Sequence, residues 1–188
     1  LLDNYPTVNG VIIDVRHNGG GYLSDMPLVL GKFVDEETLM CYTRQKNGIG
    51  RLDYTPWIPE MLQPMERVRE LDVPIVVLAD MNSISMAEMT TRAVQTLPKG
   101  CFIGEQTHGG TGTLVNSNLV FDMYYGGYFE NNAMQVYTTM TMTKDIDGVN
   151  IEGVGLTPDI EAPFDGENLK KGIDTQLERA IQYIRTGE

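Results

Sequence analysis

A single α/β domain is the fold class this sequence predicts, and three observations carry it. Val11–Val15 and Pro74–Ala79 are short runs apolar on both faces, the pattern of buried parallel strands rather than of half-exposed ones, which would alternate. The first run closes on Asn18-Gly19-Gly20-Gly21 and the second on Asp80-Met81-Asn82-Ser83, and each loop leads into an apolar stripe at helical spacing. From Pro74 to Gly104 the order strand, helix, strand has the length of a crossover unit.

The elements follow in order. After Val11–Val15, Met26, Val29, Leu30 and Phe33 recur at i, i+3, i+4 and i+7, with Ser24 or Asp25 as cap and Pro27 in the first turn. Leu39–Arg44 alternates loosely and predicts a second strand. Lys46–Pro64 scatters glycines, prolines and the single tryptophan, Trp57, without period, so a long surface excursion is expected there. Pro74–Ala79 is the clearest strand. Met86, Met89, Ala93 and Leu97 then form one helical stripe that Pro98 stops. Cys101–Gly104 is a third buried strand, ahead of a second glycine loop, Thr107-His108-Gly109-Gly110-Thr111-Gly112. Leu114–Met123 and Met134–Met142 read as antiparallel strands, the latter with Met134, Val136, Met140 and Met142 on one face. Asp174 starts a closing helix with Leu177, Ala180, Ile181 and Ile184 on its apolar stripe.

Composition narrows the function. The 188 residues are 41% hydrophobic and 21% charged, which suits one globular core and excludes a disordered or fibrous chain. Fourteen Lys and Arg against 26 Asp and Glu give a formal charge of −12, so a phosphate backbone would be repelled and nucleic acid is not an expected partner. No apolar run approaches the roughly 20 residues of a membrane-spanning helix. Cys41 and Cys101 sit among apolar residues and read as small buried hydrophobes before they read as a disulfide.

Chemistry gathers at the two glycine loops, because ligands collect at the carboxyl ends of strands in open α/β sheets. Neither loop has the spacing of a nucleotide fingerprint or a phosphate-binding loop. Glycine does leave backbone N–H groups free to face an oxyanion. Ser85 falls where the Pro74–Ala79 strand turns into a helix, beside the positive end of that helix, a suitable place for a nucleophile. The same Ser85-Met86-Ala87-Glu88 is also a capping box, so on residue pattern alone Ser85 either caps or attacks. His17 and His108 adjoin the two loops and are either solvated loop residues or bases. Two loop histidines and distant cysteines show no metal-ligand spacing.

Four ordered segments carry a resemblance: Val11-Ile12-Ile13-Asp14-Val15-Arg16-His17-Asn18-Gly19-Gly20-Gly21, Asn82-Ser83-Ile84-Ser85-Met86-Ala87-Glu88, Gly104-Glu105-Gln106-Thr107-His108-Gly109-Gly110, and Glu152-Gly153-Val154-Gly155-Leu156-Thr157-Pro158-Asp159-Ile160. Together they resemble the peptidase core of the C-terminal processing (tail-specific) serine proteases, a family that includes tricorn protease and the repeats of interphotoreceptor retinoid-binding protein. The resemblance implies a crotonase-like fold of stacked strand-strand-helix turns, with residues 1–188 as the C-terminal, catalytic-core portion of the domain and with an upstream segment and any PDZ-like domain outside it.

The resemblance also implies roles. Ser85 falls on the nucleophile, Met86 on the residue whose amide helps form the oxyanion hole, and Gly20 on the glycine that supplies the other amide, with Gly21 as fallback. The processing peptidases place a lysine base 25 residues after the serine, and that position is Gly110 here. This departure points to the tricorn-like branch, whose base is a histidine from an upstream segment oriented in part by a downstream glutamate. Glu152 falls near that glutamate's place and otherwise reads as a solvated turn residue. Peptides or protein tails are the implied substrates, no metal or organic cofactor is implied, and export to the bacterial periplasm or cell envelope is expected from the family. The rival reading is a peptidase-like binding module for a peptide or apolar ligand that has lost catalysis; an acyl-CoA enzyme of crotonase fold is a third.

Overall fold

The computed structural model describes residues 5, 7–66, 72–116 and 137–188. The apolar runs become the central sheet. Strands β1 (Val11–Asp14), β4 (Ile75–Ala79), β5 (Gly100–Gly104) and β9 (Ile160–Glu161) pair in the order β1-β4-β5-β9, every pair parallel, with Ile75 opposite both Val11 and Gly100. All five residues of β4 are buried, which is why its sequence does not alternate. Its side chains nonetheless divide by period two. Ile75, Val77 and Ala79 join the core that contains Met89, Ala93 and Val94 of helix α2 (Met86–Thr96), whereas Val76 and Leu78 join Cys101, Ile103 and Ala180 on the other side.

Helix α2 ends as expected: Leu97 is extended, the conformation favoured before Pro98. The crossover β4-α2-β5 is confirmed by the parallel pairing of its strands. Short helix α3 (Gly166–Leu169) is capped by Asp165 and the closing helix α4 (Thr175–Thr186) by Asp174, whose carboxylate accepts the Leu177 amide.

Between β1 and β4 the chain departs from expectation twice. Helix α1 spans only Met26–Leu30 and tightens into a 3₁₀ turn at Gly31–Phe33; Met26 and Leu30 are buried while Val29 is exposed. The expected surface excursion contains a strand, β3 (Ile58–Leu62), on the edge of a three-stranded antiparallel sheet ordered β3-β2-β8, with β2 at Thr38–Gln45 and β8 at Thr141–Lys144. Pro59 obscured it in the sequence, and an edge position is where a strand tolerates proline. Trp57 holds the rest of the excursion to the outer face of this sheet, with the Arg44 guanidinium and the Lys144 ammonium both 4.7 Å from its ring centre.

The late antiparallel strands are present but divided. β6 (Leu114–Asn116) pairs with β7 (Tyr137–Thr139), and after Met140 the chain enters β8, which pairs with β2 instead. The remainders of the two expected strands, 117–123 and 134–136, lie outside the described residues. The methionine face does not survive the break, since in β8 Thr143 is buried and Met142 only half-buried, with its sulfur against the Arg44 guanidinium.

The stacked strand-strand-helix turns expected of a crotonase-like fold are not formed. Such a stack needs the same unit between successive central strands. Here α1 with β2 and β3 separates β1 from β4, α2 alone separates β4 from β5, and three described strands with no described helix separate β5 from β9. The antiparallel strands β2 and β8, drawn from two different excursions, form their own sheet.

Candidate active site

The carboxyl ends of β1 and β4 lie side by side, and a set of short-range bonds welds the loops that leave them. Asp80, buried at the end of β4, accepts the amides of Asn82 at 2.9 Å and of His17 at 3.1 Å. The Ser83 hydroxyl, also buried, donates to the Val15 carbonyl at 2.8 Å, and the Ile84 amide donates to the Asn18 carbonyl at 2.9 Å. These contacts bring the first glycine loop directly against Ser85.

Ser85 sits at the N-cap of α2 with φ 59° and ψ −118°, a left-handed conformation that non-glycine residues seldom adopt. Ser85 and Glu88 form the expected capping box, so the capping role stands beside that of nucleophile. Within the box, the Glu88 carboxylate accepts the Ser85 amide at 3.1 Å. Gly20 packs on Ser85 so closely that a Cβ there would stand 2.7 Å from Ser85 Cβ and 3.0 Å from its Oγ, and its φ of 105° also favours glycine. The Gly20 amide donates to Asn18 Oδ1 at 2.8 Å, while Gly21 is exposed. Met86 opens α2, where helix amides have no carbonyl partner within the helix.

Glu88 is the residue the sequence reading undervalued. It is fully buried, and besides the Ser85 amide it accepts the Thr107 hydroxyl at 2.7 Å, the Gly109 amide at 2.7 Å and the Gly110 amide at 2.8 Å. One carboxylate therefore ties Ser85 to the second glycine loop. Gly110 accordingly lies near the Ser85 backbone, but a Cβ placed on it would meet Ile84 and His108. Neither Lys99 nor Lys144 supplies the family's lysine base: Lys99 pairs with Asp72, and Lys144 stacks on Tyr42 and Trp57.

Glu152 lies against the far end of the second glycine loop, accepting the Thr111 hydroxyl at 3.0 Å and the Gly112 amide at 2.8 Å. His17, mostly exposed, places Nδ1 3.1 Å from Asp80 and 3.1 Å from the Asn82 carboxamide, so it has an orienting carboxylate that its sequence did not reveal. His108 is exposed and its amide donates to the Ser83 carbonyl. Among the described residues, no side chain hydrogen-bonds the Ser85 hydroxyl, and no group of His, Cys, Asp and Glu is placed to hold a metal.

Behind the first loop, Arg16 clamps β1 to α4 through Asp14 at 2.6 Å and Asp174 at 2.8 Å. Burial pushes the Asp14 carboxyl up, but its bonds to Arg16 outweigh that and leave it below its ordinary value; Asp174 is lowered chiefly by the same guanidinium. Ser85, Met86, Gly21 and Tyr22 border a cleft of about 520 Å³ whose opposite wall is the inner face of the β3-β2-β8 sheet. A smaller apolar hollow of about 210 Å³, bordered by Val15, Met26 and Val29, opens on the other side of Gly20. A hydroxyl on a strained turn, at a helix start and against a glycine loop, has the geometry that acyl transfer requires.

The chain belongs to peptidase family S41, whose model matches residues 2–162. It is 24% identical over 182 residues to tricorn protease of Thermoplasma volcanium, covering 94% of this chain and 15% of that protein. It is 27% identical over 173 residues to the carboxy-terminal-processing protease of Bartonella bacilliformis, covering 90% of this chain and 35% of the other. A solved structure from Parabacteroides merdae superimposes with a TM-score of 0.80 at 28% identity, over 97% of this chain and 54% of that one. The crystal structure of tricorn protease matches with a TM-score of 0.52 at 18% identity, over 95% and 15% of the two chains. The fold is thus the mixed α/β fold of the S41 peptidases and not the crotonase fold. The chain spans well under two thirds of these relatives. Among the described residues no helix is long and apolar enough to cross a membrane.

Proposed function

We propose that this chain carries the nucleophile and oxyanion hole of a serine peptidase acting on peptides or protein tails. The observation that carries the reading is Ser85 itself: a strained, half-buried serine at the start of α2, with Gly20 packed against it and no described side chain hydrogen-bonded to its hydroxyl. Ser85 Oγ attacks the peptide carbonyl as a base removes its proton. The resulting oxyanion is held by the amides of Met86 and Gly20, the latter exchanging its bond to Asn18 Oδ1 for one to substrate. Collapse of the tetrahedral intermediate expels the amine, which takes up the proton, and leaves an acyl-serine that water hydrolyses.

The base in this reading is a histidine from a segment preceding Leu1, with Glu152 orienting it. Two things support an outside base: no described side chain bonds to Ser85 Oγ, and the chain covers only part of its relatives. The test compares peptide hydrolysis by residues 1–188, by the parent protein and by the parent with Ser85→Ala. Activity in the parent alone is expected. Equal activity in fragment and parent would put the base inside this chain, and inactivity of all three would favour the second reading, a peptidase-like binding module, which the place of Ser85 in a capping box also permits.

A further inference from the structure

The wall of the cleft opposite Ser85 has a chemistry that the proposed reaction does not use. Period two along β2 puts Cys41 and Thr43 on one face, and the registers set Glu60 opposite Cys41 and Thr143 opposite Thr43. That face lines the cleft with Thr43, Glu60, Thr141 and Thr143, together with Thr111 from the second glycine loop. Every one of these is an uncharged hydroxyl except Glu60.

Glu60 is half-buried on the edge strand. Its Oε1 accepts the Thr43 hydroxyl at 2.5 Å, and among the described residues it has no other hydrogen bond and no Lys, Arg or His nitrogen within 4 Å. Other carboxylates around the glycine loops are satisfied: Glu88 has four donors, Asp80 and Glu152 take loop amides, and Asp14 and Asp174 share Arg16. Of the cations around the sheet, Arg44 and Lys144 alternate onto the opposite face, where they stack on Trp57, and Arg92 of α2, near Cys41, donates its Nε–H to the Met40 carbonyl. Glu60 is therefore a carboxylate with one donor, facing the space in which the proposed substrate lies.

We infer that Glu60 is a specificity-determining residue that selects a basic side chain, lysine or arginine, in the peptide held across this cleft. A peptide lying there removes water from the carboxylate. An apolar or acidic side chain leaves that charge desolvated and unpaired, which disfavours binding, whereas an ammonium or guanidinium supplies the missing partner. The threonine hydroxyls around it accept the remaining N–H groups of the cation without neutralising it. The net charge of −12 acts in the same direction by drawing cationic peptides to the surface.

This inference rests on the reading that the cleft beside Ser85 holds the peptide, and its test is made by binding so that it does not depend on turnover. Fluorescent peptides identical except for one central residue, lysine, norleucine or glutamate, are titrated against the protein carrying Ser85→Ala, with and without Glu60→Gln. Lysine is expected to bind about tenfold more tightly than norleucine, equivalent to about 1.4 kcal/mol. Glu60→Gln should remove that advantage, weakening lysine binding and relieving the penalty on norleucine, and in the unsubstituted site the advantage should shrink as salt is raised. Equal affinity for lysine and norleucine, an advantage that survives Glu60→Gln, or no saturable binding of any peptide would overturn the inference. A lysine preference that depends on Glu60, in a parent protein that hydrolyses none of the three peptides, would uphold it and instead overturn the proposed reaction.

Discussion

Removing the charge of Glu88 separates two accounts of the Ser85 turn. If Glu88 served only as the capping partner of α2, its loss would cost about 1 kcal/mol, the usual worth of a cap. The structure gives it four donors in a fully buried position, three of them backbone amides on two different loops. Glu88→Gln keeps the shape, and its carboxamide oxygen can still serve Thr107 and Gly109. Its NH₂ then faces the Ser85 and Gly110 amides, donor against donor. Each buried donor left unsatisfied costs about 1–3 kcal/mol, so a loss near 3 kcal/mol is expected. For a urea slope of about 2 kcal/mol/M this lowers the unfolding midpoint by about 1.5 M. The chain should remain folded in water, because domains have about 5–15 kcal/mol in reserve. The assay is urea unfolding followed by circular dichroism, run beside labelling of Ser85 by a peptidyl phosphonate, which should slow at least tenfold as the strained turn relaxes. A midpoint within 0.5 M of wild type, with labelling unchanged, would refute the hub assignment and leave Glu88 as a cap.

Gly20→Ala should reduce Ser85 labelling at least 100-fold, since the new methyl meets Ser85 Cβ and Oγ within about 3 Å and the positive φ strains any L-residue; wild-type labelling would show that the loop lies elsewhere. Burial, reinforced by Glu60, pushes the Cys41 thiol to about 12, and burial with Asp159 pushes Cys101 to about 11. Neither should react with a thiol reagent at pH 8 until urea unfolds the chain, and stoichiometric modification of the native protein would contradict the packing. Asp14 and Asp174 have folded-state values below their ordinary 3.8, so their contribution is fully present above that pH and is lost as pH falls through the lowered values. Urea midpoints should therefore drop below about pH 4, and Arg16→Gln should flatten that drop; a parallel profile for the variant would remove Arg16 as its cause.

Much of the architecture was legible because its signals are local. β4 declares itself by five consecutive apolar residues, α2 by its stripe and Pro98, and α4 by Asp174. β3 was not legible: Pro59 breaks its pattern, and only its place at a sheet edge reconciles proline with a strand. The pairing of β2 with β8 was hidden for another reason, since Tyr42 meets Lys144 across a hundred residues of chain and no periodicity encodes such a choice. The crotonase-like expectation failed at the same level, because it was inferred from resemblance rather than from strand partners. At the site, Ser85 and Gly20 were found by motif and are adjacent in space. The hub role of Glu88 was invisible because three of its donors come from Thr107, Gly109 and Gly110, about twenty residues downstream. Asp80 beside His17 was missed likewise, a pair 63 positions apart.

The central claim, that the Ser85 hydroxyl is a catalytic nucleophile, is tested most directly by intact-mass and peptide mass spectrometry of the parent protein after treatment with a peptidyl diphenyl phosphonate. A single adduct that maps to the peptide containing Ser85, and that is absent from Ser85→Ala, is the result the account expects. An adduct that persists in Ser85→Ala, or hydrolysis of peptides by a protein that never forms one, would contradict it.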